Sequence, residues 1–155
     1  NNTTNTLTLS DGGGSVVVPQ RVAFHAARTA SGTIGNGTVI VCNQEIVDNA
    51  GAYNPSNGVF TAPTAGVYQF TYNLAYYAAN GSTVIPTLYS GGTILRRNRY
   101  RTITGGAPMQ ATFVWTVTLG ANQSVFIRHI GSTITMYGQG HTGEATTSFS
   151  GVKLN

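Results

Sequence analysis

The sequence predicts an all-β sandwich or jelly-roll domain, and three observations carry that prediction. Short segments of strand chemistry recur between turn residues, at 22–29, 38–42, 58–61, 66–77, 84–89, 94–102, 111–119, 124–130, 133–137 and 146–154. The longest of them alternate apolar and polar residues with a period of two. No segment shows helical periodicity.

Residues 1–20 differ from the rest. They are polar, and Asp11-Gly-Gly-Gly-Ser15 has flexible-linker chemistry, so the segment reads as a tail or linker before a globular domain at 21–155. It shows neither a Gly-X-Y period nor a heptad.

The stretch from Tyr53 to Tyr72 alternates turn and strand. Pro55 presets one φ and Asn57 or Gly58 offers a positive one, after which Pro63 to Gly66 supplies a second turn. From Val67, the residues Tyr68, Phe70, Tyr72, Leu74 and Tyr76 fall on one face of an extended chain. Such an aromatic row packs either inside a sandwich or against another subunit. In 111–119 the residues Phe113, Trp115, Val117 and Leu119 share a face, which places Trp115 in the core. Ser90-Gly91-Gly92 and Gly120-Ala121-Asn122 are both expected to close hairpins.

The chain has 155 residues, the size of one domain, with 41% hydrophobic but only 8% charged residues. Low charge with many rings and neutral hydrogen-bonding side chains is not a disordered composition; it suits an extracellular β protein. No apolar run reaches the ~20 residues of a membrane span, so no membrane insertion is expected. With no basic-plus-apolar signal-peptide pattern, the sequence is expected to be a mature or trimmed product. A single cysteine, Cys42, excludes an intrachain disulfide and is expected to be a buried thiol, with an interchain bridge as the alternative. Sequons at Asn36, Asn80 and Asn122 add a weak secretory hint.

Three segments carry a resemblance to a known family. They are Val22-Ala-Phe-His-Ala-Ala-Arg28, the Tyr53 to Tyr72 run, and Ser148-Phe-Ser-Gly-Val-Lys-Leu154. Together they resemble the globular head domain of complement C1q, a branch of the C1q and tumour necrosis factor superfamily. The resemblance implies a ten-stranded jelly roll, assembly as a homotrimer, secretion, and a role in binding other molecules. Stalkless invertebrate members are frequently lectins of innate-immune pattern recognition, some of them specific for sialic acid. Calcium binding near the trimer apex is a further implication. However, Asp11, Glu45, Asp48 and Glu144 form no cluster in the sequence, and the metal question stays open.

Leu95-Arg96-Arg97-Asn98-Arg99-Tyr100-Arg101 holds four of the eight basic residues of a chain whose net charge is +4. In an extended segment Arg97, Arg99 and Arg101 share a face at ~7 Å spacing. Arginine's planar fork matches a carboxylate or sulfate in two hydrogen bonds. The basic residues do not form the long stripe that tracks nucleic acid, so none is expected as a partner. An acidic glycan fits better: one arginine takes the acid group, while Tyr100, Asn and Thr take hydroxyls and ring edges. Alternatively, the arginines pair with Glu45, Asp48 or Glu144 across a subunit contact, in a protein-binding, signalling or matrix member with no sugar ligand. A second candidate site is the glycine-rich loop 136–145, with Tyr137, Gln139 and His141 as ligand-contacting residues. His25, His129 and His141 lack metal-ligand spacing. Glu45 and Asp48 lead into a turn and read as structural, no catalytic motif occurs, and the protein is not expected to be an enzyme or to need an organic cofactor.

Overall fold

The computed structural model describes residues 21–103, 107–139 and 146–154. The 1–20 tail, His141 and Glu144 lie outside the described residues. Among the described residues, thirteen strands form two antiparallel sheets. The first sheet contains β1 (Ala23–Ala27), β2 (Gly32–Ile34), β3 (Gln44–Asp48), β6 (Gly66–Tyr77), β10 (Met109–Leu119), β12 (Ile134–Met136) and β13 (Ser148–Lys153). The second contains β4 (Tyr53–Asn54), β5 (Val59–Thr61), β7 (Thr83–Ser90), β8 (Thr93–Arg97), β9 (Tyr100–Arg101) and β11 (Ser124–Gly131).

β6 organises the first sheet. One of its edges pairs with β10 along eleven residues; the other pairs with β13 and then, at Tyr76 and Tyr77, with β12. The expected aromatic row turns inward: Tyr68, Phe70, Tyr72, Leu74 and Tyr76 are each no more than 2% exposed. They pack within the subunit, against the opposite sheet. Phe24 from β1 stacks on Tyr53 and Phe60, with centroids 4.8 and 5.0 Å away, and meets Phe149 edge-on at 5.0 Å. Burying each such ring stabilises by ~1.5–3 kcal/mol. This packing takes the place of a disulfide, because Cys42 is a free, buried thiol. Its backbone is clamped by Tyr53, whose hydroxyl donates to the Cys42 carbonyl at 2.9 Å.

Several local expectations are corrected. Gly91 and Gly92, with φ of 53° and 87°, do close a hairpin between β7 and β8. The turn at Gly120 to Asn122 does not: β10 belongs to the first sheet and β11 to the second, so the chain crosses the sandwich there. Residues 38–42 contribute only an isolated bridge between Val39 and Arg128 rather than a strand. Residues 44–48, read as leading into a turn, form the exposed edge strand β3. The turn follows it, capped by Asp48, whose carboxylate accepts from the Ala50 and Tyr53 amides at 3.1 and 2.7 Å.

Candidate functional site

The arginine segment is the outer edge of the second sheet. Thr87 pairs with Arg97, Leu88 with Arg96, Val84 with Tyr100 and Thr83 with Arg101, which is one continuous register. The ladder breaks between β8 and β9 because the residue opposite Asn98 is Pro86, which has no N–H to donate. The Asn98 amide still donates to the Pro86 carbonyl at 3.3 Å. The segment therefore stays extended across the break.

Strand alternation then sorts the side chains. Leu88 and Val84 belong to the core, so their partners Arg96 and Tyr100, with Asn98 between them, lie on the inward side. Asn98 confirms this, accepting a hydrogen bond from the Trp115 indole of the opposite sheet. Arg97, Arg99 and Arg101 share the outward face, and all three are exposed. Arg96, apart from them, turns a guanidinium nitrogen back to the Leu95 carbonyl at 2.8 Å. Among the described residues no carboxylate pairs with any of these arginines. The described acids, Glu45 and Asp48, both stand on β3 in the other sheet.

The loop candidates belong elsewhere. The Tyr137 amide donates to the Ala75 carbonyl and the Gln139 amide to the Arg28 carbonyl, each at 2.8 Å. Tyr137 and Gln139 are thus carried by the first sheet and the arginines by the second.

A fourth arginine joins the outward face, one that local sequence reading does not single out. On β11, Val125, Ile127 and His129 point inward, which turns Phe126 and Arg128 outward. Phe126 pairs with Tyr89 and Arg128 with Thr87, which has Arg97 on its other side. The Tyr89 and Phe126 rings stack at 5.8 Å, and the Arg128 guanidinium carbon lies 4.9 and 5.5 Å from their centroids. The buried Arg128 Nε has no hydrogen-bond partner. The only signal in the sequence was an arginine two residues after a phenylalanine in an alternating strand.

Among the described residues no three His, Cys, Asp or Glu side chains gather as a metal site. Asp48 is engaged by two backbone amides. His129 is buried, with its Nε2 2.7 Å from the Ser132 carbonyl. Burial lowers its pKa from the ordinary 6.5, a shift that the Ser132 hydrogen bond partly opposes.

Two antiparallel sheets packed face to face, with long-range pairings throughout and no helix among the described residues, define the class: an all-β jelly-roll sandwich. The C1q domain family model matches residues 23–153, and the chain belongs to that family. Solved structures share the fold at low identity. Eiger TNF from S. frugiperda superposes with a TM-score of 0.71 at 13% identity, covering 87% of this chain and 93% of its own. The globular domain of zebrafish complement 1qA gives 0.65 at 14%, covering 86% and 98%. Murine APRIL at pH 5.0 gives 0.66 at 11%, covering 87% and 100%. C1q domains are generally recognition or signalling modules rather than enzymes, and C1q domain proteins are typically extracellular.

Proposed function

We propose that this is a secreted lectin of innate-immune type that binds acidic glycans, such as those ending in sialic acid, through the outward face of β8 and β9. One observation carries the reading: Arg97, Arg99 and Arg101 stand exposed on one face, with no carboxylate partner among the described residues. Like charges held together without a counterion cost free energy in the free protein, and an anionic ligand removes that cost. A guanidinium fork also gives a carboxylate two directed hydrogen bonds. Each site is expected to be weak alone, and a homotrimer multiplies its effect on a clustered surface.

The test is binding to a printed glycan array beside a sialidase-treated copy, followed by Arg97→Gln, Arg99→Gln and Arg101→Gln. Signals confined to acidic glycans and lost in at least one folded variant support the lectin. An array left empty by folded protein favours the protein-binding, signalling or matrix reading. If the variants instead lose assembly without any glycan dependence, the arginines are subunit contacts.

A further inference from the structure

The outward face of the second sheet holds more positive charge than one acid sugar can use. Arg97, Arg99 and Arg101 run along the edge over ~13 Å, and Arg128 lies two strand spacings from Arg97, ~10 Å across the sheet. A single terminal carboxylate engages one guanidinium and leaves the others uncompensated. Arg128 is also the one arginine of the four with its orientation fixed, its plane held by Tyr89 and Phe126. Its buried Nε–H has no acceptor within the protein. That nitrogen is itself buried, so an arriving oxyanion meets the terminal guanidinium nitrogens of the ring-held Arg128 rather than Nε. Thr87, paired with Arg128 on one side and Arg97 on the other, is fully buried although it alternates with the core residue Leu88.

We propose that Arg128 and Arg97 anchor one acid group and Arg99 and Arg101 a second. The ligand is then a linear glycan carrying sulfates or carboxylates on successive sugars, rather than a chain with a single acidic end. The inference rests on the acidic-glycan reading and extends it to a residue and a ligand length.

The experiment measures binding of the intact protein to a sulfated heparin oligosaccharide, a carboxylate-only hyaluronan oligosaccharide of matched length, and sialyllactose. At least one linear chain should bind about tenfold or more tighter than sialyllactose, and a preference for either supports the proposal while naming the acid group. Arg128→Lys keeps the charge and the aliphatic stem but loses the fork, and should weaken that chain about tenfold, the scale of one hydrogen bond to a charged group. In the wild-type protein the Arg128 Nε–H resonance should move on titration with the linear chain. That readout does not depend on the variant folding. A silent resonance overturns the proposal. So does sialyllactose binding as tightly as the linear chains, or full affinity in Arg128→Lys beside a loss in Arg97→Gln; in both of these cases the lectin reading survives. A folded wild-type protein that binds no acidic glycan defeats both.

Discussion

The Trp115 indole N–H donates to the Asn98 side-chain carbonyl, joining β10 of one sheet to the break in the edge strand of the other. Asn98 sits where Pro86 has removed a ladder bond, so this side-chain contact holds the middle of the arginine segment in place. Asn98→Ala leaves a partly buried N–H without its acceptor, which costs ~1–3 kcal/mol. We expect a lower urea midpoint and, because Arg97 and Arg99 flank the site, weaker acidic-glycan binding than the stability loss alone explains. Unchanged affinity in the folded variant would show that the bond is purely structural.

Gly151 on β13 faces Phe24 and Phe70. A Cβ built there would lie 2.5 Å from the Phe24 ring and 2.7 Å from that of Phe70. Both rings are held in the aromatic cluster, so neither moves cheaply. Gly151→Ala is expected to destabilise by ~1–3 kcal/mol through overpacking. A variant as stable as wild type in urea titration would mean that the cluster repacks freely.

The parts of this architecture that sequence made legible are those buried on one face. β6 and β10 alternate because one side packs in the core and the other does not, and their inward residues emerged as expected. β2, β3 and β4 have two to five residues, and β3 is almost wholly exposed, so no periodicity marks them. The crossing at Gly120 to Asn122 read as a hairpin because turn chemistry is local, whereas which sheet the next strand joins is not. The shared face of Arg97, Arg99 and Arg101 followed from alternation alone. Arg128 joined them only through the register of β7 against both β11 and β8, a long-range fact.

His129 gives the fold an acid sensitivity. Burial lowers its pKa below the ordinary 6.5, so in a window below that value the unfolded chain binds a proton that the folded chain does not. The stability from neutral His129 is fully present above about pH 6.5 and is lost as pH falls through the lowered value. The urea midpoint should therefore be lower at pH 5 than at pH 7.5, with a smaller difference in His129→Gln. An equal difference in both proteins would assign the acid effect to other groups.

Cys42 is fully buried, and burial pushes its thiol up to about 12, against a smaller opposing pull from Arg28. The thiolate is the reactive form, so folded protein at pH 8 should resist thiol-reactive dyes and label fully only in denaturant. The same burial argues against an interchain disulfide. A covalent dimer on a non-reducing gel of folded protein, or labelling as fast as that of free cysteine, would contradict both statements.

The outward face of the first sheet supports the proposed homotrimer and offers its test. Val114, Thr71, Ser150, His25 and Val47 stand in register across β10, β6, β13, β1 and β3. The row is polar at its centre, with valines at its two ends that are 54% and 50% exposed, and it contains no Lys, Arg, Asp or Glu. A surface free of strongly hydrated charge is the kind that subunits bury at low cost, whereas the arginine face is not. Thr71→Arg places a charge at the centre of the row. If copies meet there, each contact must bury an unpaired guanidinium, at a cost of several kcal/mol. Sedimentation should then shift from trimer to monomer with unchanged circular dichroism, while Arg97→Gln stays assembled. A Thr71→Arg protein that remains trimeric would move the contact to another face, and loss of the trimer in Arg97→Gln would point to the arginine edge.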